Sequence, residues 1–253
     1  MTSPLPPFPR HLAPDLRFVE LIEFDLSEFD LSRECGDAAS VLSPGELARA
    51  AHIPNARHRQ RFADARGVLR LLLGAVLRLP PRQVPIRPGR NGKPEIAAKN
   101  PFQLRFNLSY SGDRGLIALS VGREVGVDVE GIRDKIDFLE IAVRFFAPGE
   151  TASLEAVSRP RRAEAFFRCW TGKQSFVKAR GDGLLSRLDA FEVEPAARPT
   201  RLRWSTLDAS DVRRWQLVPI DLDHDHVAAL TVEGTAEIRR WSAPFGLCRA
   251  GVT

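Results

Sequence analysis

The chain has 253 residues, of which 43% are hydrophobic and 27% charged, enough for the core of one large domain or two modest ones. Its 37 basic and 32 acidic residues give a net charge of +5, and this mild arginine excess suits phosphates and acidic protein surfaces without being a nucleic-acid signature. The composition excludes a disordered chain, and no segment approaches the ~20 apolar residues of a membrane-spanning helix.

The N-terminal segment and the cysteines bear on where the protein acts. Residues 1–14 are rich in proline and have no apolar run of signal-peptide length, which predicts an extended, mobile tail on a soluble protein. Cys35, Cys169 and Cys248 are odd in number and widely spaced, which favours neither a disulfide framework nor a four-ligand zinc site. A reduced, cytoplasmic compartment is the prediction.

The first part of the chain is predicted to form a strand, then helices, then further strands. Residues 18–26 alternate as a strand does, and the sequence SPGE at 43–46 is a capping box that opens a helix. A long helix over 57–79 carries its apolar residues on one side and arginines around the remainder. Strands are predicted at 102–108 and 115–121.

The second part of the chain repeats that order. It is predicted to contain a strand at 125–130, helices at 138–146, 148–158 and 160–179, and strands near 190–193, 202–207, 215–220 and 227–232. An α+β protein with two similar halves, residues 15–123 and 124–253, is therefore predicted, although direct self-similarity in sequence is weak.

A pair of carboxylates marks the start of the second half. In GVDVE at 126–130, strand alternation sends Asp128 and Glu130 to one face. Two unpaired carboxylates repel each other, and a hard cation such as Mg²⁺ would relieve that repulsion. The competing interpretation is a solvated strand end.

Two stretches of the first half offer groups that bind phosphates. Lys93 follows the Asn91-Gly92 hairpin signal and precedes a proline, an exposed place from which an ammonium reaches a phosphate. Ser109, Tyr110 and Ser111, between two predicted strands, offer hydroxyls at a strand end. An ordinary exposed lysine and a simple turn are the alternatives.

Residues 166–184 are predicted to form an amphipathic helix that Gly181 and Gly183 end. Gln174 and Lys178 lie one turn apart and point the same way. Taken alone, the stretch is typical of a helix with a solvated lysine edge.

Taken in order, these stretches resemble the 4′-phosphopantetheinyl transferases, of the larger monomeric type that activates carrier domains of nonribosomal peptide and polyketide synthases. The resemblance covers residues from about 40 to 190. Its motifs are GKP at 92–94, FNLSYSG at 106–112, GVDVE at 126–130, FFAPGE at 145–150 and WTGKQSFVKARGDGL at 170–184.

The resemblance implies a pseudo-twofold α+β fold with the active site in the cleft between the halves, holding coenzyme A and Mg²⁺. Such an enzyme moves the 4′-phosphopantetheine arm of coenzyme A to a serine of an apo acyl or peptidyl carrier protein, releasing adenosine 3′,5′-bisphosphate. A monomer without a nucleic-acid or membrane partner is expected.

The resemblance also implies roles for individual residues. Catalysis would fall to Glu130, Gln174 and Lys178. The metal would be held by Asp128, Glu130 and Gln174. Coenzyme A would be bound by Arg57, Arg70, Lys93, Ser109, Tyr110, Lys173 and Lys178.

Two positions depart from the family pattern. Gln174 stands where the family has glutamate, which removes a negative charge and a proton acceptor, and Tyr110 stands where it has histidine. Three alternatives follow: a working enzyme that uses Glu130, Glu150 or a metal-bound water as base; a slow or specialised enzyme; or a silent relative that only binds coenzyme A or a carrier protein. A working or partly working enzyme is the favoured prediction.

Overall fold

The computed structural model describes residues 5–7, 9, 15–97, 100, 102–134, 136–183, 187–194 and 201–243. Most of the predicted N-terminal tail, Leu184 and Cys248 lie outside these residues. Within the described ranges, no helix is both long enough and apolar enough to span a membrane.

The first half begins with a strand and three helices and ends with four strands. These are β1 (Phe18–Asp25), α1 (Leu31–Cys35), α2 (Pro44–Ala51), α3 (Ala56–Leu77), β2 (Ile86–Pro88), β3 (Pro94–Ile96), β4 (Leu104–Ser111) and β5 (Arg114–Val121). The predicted capping box opens α2, since the Ser43 hydroxyl accepts the Glu46 N–H while the Glu46 carboxylate accepts the Ser43 N–H. The strand β4 continues through Ser111, so the prediction that residues 109–111 follow a strand was wrong.

The second half has a similar order. It comprises β6 (Val125–Gly131), α4 (Phe138–Phe145), α5 (Pro148–Glu155), α6 (Arg159–Arg180), β7 (Phe191–Glu194), β8 (Arg201–Ser205), α7 (Asp211–Arg214), β9 (Trp215–Asp221), β10 (His226–Glu233) and β11 (Glu237–Ser242). The sequence analysis predicted neither α7 nor β11. The helix α6 ends as predicted at Gly181, whose φ of 73° lies in the left-handed region that glycine tolerates.

Two sheets organise the described residues, and the α+β prediction is confirmed. The first sheet has the order β11-β1-β5-β4 and the second β6-β10-β9. In each half the first strand pairs antiparallel with a later strand of the same half, as β1 does with β5 and β6 with β10. The strand β11 follows β10 in the chain, yet it pairs parallel with β1 and so completes the first sheet.

The two sheets pack against each other between the two long helices. Leu21 and Leu116 of the first sheet join Val127 and Leu230 of the second in one buried cluster. A second cluster lies between α3 and the first sheet, and a third lies between α6 and the second sheet. The result is a layered arrangement of helix, sheet, sheet and helix.

Matched ion pairs fix the helices of the two halves. Glu46 is the third residue of α2 and binds Arg70, the fifteenth residue of the 22-residue helix α3. Glu150 is the third residue of α5 and binds Lys173, the fifteenth residue of the 22-residue helix α6, at 2.6 Å. Both pairs are buried, so each half is held by a charge pair of the same design.

Candidate active site

A glycine lets the helix α6 lie directly on the strand β6. A Cβ atom at Gly126 would lie 2.2 Å from the Ser175 carbonyl oxygen and 2.3 Å from the Ala179 nitrogen. Because backbone atoms fill that space, only glycine fits there. This close crossing brings the ammonium of Lys178 within 3.2 Å of the Val127 carbonyl oxygen.

Lys178, Asp128 and Ser109 form one polar cluster at this crossing. The Lys178 ammonium donates to Asp128 Oδ1 at 2.6 Å and to Ser109 Oγ at 2.9 Å. Ser109 in turn donates to Asp128 Oδ1 at 3.1 Å. The strand β4, the strand β6 and the helix α6 therefore each contribute one side chain, and the cluster lies where the two halves meet.

The second oxygen of Asp128 has no partner. Asp128 is 5% exposed, and within the described part of the chain its buried Oδ2 receives no hydrogen bond. Burial raises the pKa of Asp128, although the neighbouring Lys178 acts in the opposite direction. A buried carboxylate oxygen without a donor is suited to a cation, because a cation would satisfy it without adding a proton.

Glu130 lies two residues further along the same strand face. Its Oε2 accepts the Ser111 hydroxyl at 3.2 Å and a guanidinium N–H of Arg133 at 3.1 Å. Burial and the charge of Asp128 both raise the pKa of Glu130. The predicted pair of carboxylates is therefore present on one face, and the charge of Asp128 disfavours the ionised form of Glu130.

Gln174 completes the set that was predicted to hold a metal. It lies on α6 one turn before Lys178, it is half-buried, and its amide makes no hydrogen bond to any part of the chain that the structure describes. Over those same residues, no group of three or more histidine, cysteine or acidic side chains could hold a metal ion. A cation site here would thus consist of two carboxylates and one amide oxygen.

Side chains of β4 close the free edge of β6. Asn107, Ser109 and Ser111 each accept a backbone N–H of that strand, at 2.9, 3.4 and 3.1 Å respectively. These contacts replace a backbone ladder between the two sheets. The sequence analysis named the hydroxyls of Ser109 and Ser111 but missed Asn107, although alternating polar residues in FNLSYSG place all three on one strand face.

Lys93 joins the two halves instead of facing solvent. Its side chain is 15% exposed, and its ammonium donates to Glu124 at 2.7 Å, to the Ala179 carbonyl at 2.8 Å and to the Val125 carbonyl at 3.2 Å. Burial lowers the pKa of Lys93. The prediction of an exposed lysine was wrong, because residues distant in sequence cover it. A pocket of about 200 Å³ lies beside it, and Arg105 also lines that pocket.

Two predicted coenzyme A residues lie outside the cluster on the first half. The Arg57 side chain is 74% exposed, and its guanidinium lies 3.7 Å from Asp113 at the turn after β4. Tyr110 alternates away from Ser109 and packs against the core of the first half, where burial raises the pKa of its phenol.

The structure does not bring Arg70, Lys173 or Glu150 to the cluster. Arg70 is 2% exposed and donates to three backbone carbonyls besides Glu46. Lys173 is fully buried against Glu150 and donates to the Phe191 carbonyl at 2.7 Å. The Glu150 carboxylate also accepts two backbone N–H groups, so the interpretation of Glu150 as a catalytic base was wrong.

The sequence of this chain is similar to that of proteins from one family of transferases. The family model described as the 4′-phosphopantetheinyl transferase superfamily matches residues 124–232. The 4′-phosphopantetheinyl transferase HetI of Nostoc sp. is 37% identical over 204 residues, which cover 78% of this chain and 81% of the relative. A putative 4′-phosphopantetheinyl transferase of Synechocystis sp., slr0495, is 35% identical over 178 residues, covering 70% of this chain and 71% of the relative.

Among solved structures, the holo-[acyl-carrier-protein] synthase of Thermotoga maritima matches with a TM-score of 0.35 and 20% identity, over 45% of this chain and 64% of that one. The family model assigns the second half of the chain to the superfamily of 4′-phosphopantetheinyl transferases. The match to HetI is 37% identical and covers more than two thirds of both chains, so the chain belongs to the 4′-phosphopantetheinyl transferase family.

Proposed function

We propose that this transferase moves the 4′-phosphopantetheine arm of coenzyme A to a serine of an apo acyl or peptidyl carrier protein, with the cluster around Asp128 as its catalytic centre. The serine oxygen attacks the phosphorus that bears the arm, and the bond from that phosphorus to adenosine 3′,5′-bisphosphate breaks. The serine proton passes to a base. The observation that carries the proposal is the unpartnered, buried Asp128 Oδ2 beside Lys178 at the junction of the halves.

Asp128, Glu130 and the Gln174 amide would hold Mg²⁺ at this centre. The donor set fits, since all three offer oxygen atoms and one of the carboxylate oxygens is buried without a donor. When bound there, the ion supplies positive charge to the pyrophosphate of coenzyme A. Gln174 reduces the negative charge of the set by one compared with a glutamate.

Lys178 would supply positive charge to the phosphate as the bond to the leaving group breaks. Its ammonium lies at the cluster, where it donates to three oxygen acceptors. In phosphoryl-type transfer, such positioning and charge neutralisation outweigh covalent chemistry by the protein.

Glu130 is the proton acceptor that the cluster leaves available. Its Oε2 is occupied by Ser111 and Arg133, whereas its Oε1 has no hydrogen bond to any described residue. Gln174 cannot accept a proton, so a base at position 174 is not part of the proposal.

Binding of the nucleotide end would involve the first half of the chain. Lys93 and Arg105 line the pocket beside α6, and Arg57 and Tyr110 lie on the same half. We assign no direct contact with coenzyme A to Arg70 or Lys173, whose charges are satisfied within the core. The net charge of +5 suits an acidic carrier domain, and the two halves supply both walls of the site within one monomer.

Mass spectrometry of a carrier protein tests the proposal. The protein is mixed with coenzyme A, Mg²⁺ and several apo carrier proteins, and each carrier is examined for the mass of one phosphopantetheine on its serine. An apo carrier with that serine changed to alanine and an Asp128→Asn variant of the enzyme are the controls, and both should give no product. No gain on any carrier would sink the proposal.

A silent relative is the second candidate, favoured by Gln174 alone. It would bind coenzyme A in calorimetry yet transfer nothing to any carrier. Product formation by the unmodified protein would exclude it.

A further inference from the structure

The ammonium of Lys178 is the counter-ion of Asp128: it binds Oδ1, while the neighbouring Oδ2 has no donor among the described residues. An ammonium has three N–H donors, and each of those of Lys178 has an oxygen acceptor: Asp128 Oδ1, Ser109 Oγ and the Val127 carbonyl. The Lys178 side chain is 29% exposed, whereas that of Asp128 is 7% exposed. A long side chain therefore reaches from the cleft to a buried carboxylate, and it can leave by the same route.

The contact between Lys178 and Asp128 changes the net charge that an entering cation meets. Asp128 and Glu130 contribute two negative charges and Gln174 none, and Lys178 neutralises one of the two. A divalent cation entering the free site would have to compete with Lys178 for Asp128. With a carboxylate at position 174 the remaining charge would be larger, so Gln174 increases the influence of Lys178.

We propose that Lys178 acts as the counter-ion of the free site and, through its charge and its contact with Asp128 Oδ1, opposes the binding of a divalent cation at Oδ2 until the phosphates of coenzyme A draw the ammonium away. The metal and coenzyme A then enter as one unit, and free Mg²⁺ does not load the enzyme. This inference rests on the proposed function and adds a rule for the order in which its site is filled. By linkage, coenzyme A strengthens metal binding by the factor by which the metal strengthens coenzyme A binding.

Calorimetry of Mg²⁺ binding without coenzyme A tests the inference. We expect Lys178→Met to bind Mg²⁺ at least about tenfold more tightly than the unmodified protein, since a charge-assisted contact that competes with the ion has been removed. Lys93→Met is the matched control, because it removes a half-buried lysine of the same cleft that pairs with Glu124 and not with Asp128. Its Mg²⁺ affinity should not rise.

Two further variants distinguish the loss of the Lys178 charge from a folding defect. Lys178→Gln keeps hydrogen-bond donors for the Val127 carbonyl without the charge, and it should tighten Mg²⁺ binding as the methionine does. Lys178→Arg keeps the charge and should bind Mg²⁺ as weakly as the unmodified protein. Mg²⁺ should also raise the thermal midpoint of the neutral variants more than that of the arginine variant.

An unchanged or weaker Mg²⁺ affinity in both neutral variants would overturn the inference. That result is distinguishable from a failure of the proposed function, because the unmodified protein would still modify a carrier serine. Conversely, a protein that neither binds coenzyme A nor modifies any carrier would refute the proposed function whatever Lys178→Met does to Mg²⁺ affinity.

Discussion

In both halves of the molecule, an eight-residue helix that begins Pro-Gly-Glu is tied by its glutamate to the fifteenth residue of a 22-residue helix. The two long helices differ at the sixteenth and twentieth positions. The first half has Leu71 and Ala75 there, whereas the second half has Gln174 and Lys178. The same scaffold therefore carries apolar packing in one half and polar groups of the candidate site in the other.

The edges of the two sheets differ in a related way. The edge of β1 is closed by the backbone of β11, and the edge of β6 is closed by side chains of β4. A backbone ladder leaves its side chains to pack or face solvent. A side-chain closure instead places hydroxyls next to Asp128, which shows how a sheet edge becomes a chemical site.

The largest effect is expected from breaking the buried pair of the second half. Lys173→Met leaves the Glu150 carboxylate buried without its cation, and we expect the free energy of unfolding to fall by about 3–5 kcal/mol in urea denaturation. Arg70→Met should cause a smaller loss, because Arg66 still pairs with Glu46 at 2.6 Å. Adding Glu150→Gln to Lys173→Met should restore most of the stability. If only one of the two variants lost stability, the two ion pairs would not have equivalent roles.

Gly126→Ala should destabilise the protein by about 3 kcal/mol, because its Cβ would meet the backbone of α6 at 2.2 and 2.3 Å. Gly172→Ala is the matched control on α6 itself. A Cβ there would lie 3.7 Å from the nearest atom, a Val193 methyl, so this change should be neutral or slightly stabilising. Chemical denaturation measures both. Equal stability of the two variants would contradict the close crossing.

Gln174→Glu should raise the affinity for Mg²⁺ in the presence of coenzyme A by about tenfold, because the set of ligands gains a negative charge. Isothermal calorimetry measures the change. Gln83→Glu, at an exposed position of the first half, is the control for the general effect of one added charge. An unchanged or weakened affinity in Gln174→Glu would count against placing residue 174 at the metal.

The smallest effect is expected from Glu130→Gln on the free protein. Burial and Asp128 raise the pKa of Glu130 in the fold, so its ionisation lowers stability as the pH rises through that raised value. The glutamine variant should be slightly more stable near neutral pH, by less than about 1 kcal/mol, and less active. Below about pH 4 both forms are neutral and the difference should vanish. Unfolding curves across pH would show whether the gain exists.

Local patterns of the sequence predicted the elements and the pair of carboxylates. The capping box at Ser43, the alternation that puts Asp128 and Glu130 on one face and the glycine that ends α6 each depend on a few neighbouring residues, and all three are confirmed. Motifs of the family then brought Ser109 and Lys178 to the same site, and the structure places them 2.9 Å apart.

Features that depend on distant partners were missed or wrong. Lys93 was predicted to be exposed because nothing near it in sequence indicates Ala179, whose carbonyl accepts its N–H. Charge alone could not distinguish Lys173, which serves the core, from Lys178, which serves the cluster. The strand β11 was not predicted, since its place depends on the free edge of β1.

The parallel pairing of β11 with β1 delays completion of the first sheet during synthesis on the ribosome. Residues 18–25 are synthesised long before residues 237–242, the strand that covers their edge. Until then Glu20, which is 4% exposed in the folded chain, lacks the guanidinium of Arg239 and the indole N–H of Trp241. The first sheet is therefore completed only after the second half has been made, and until then its open strand edge needs protection from aggregation.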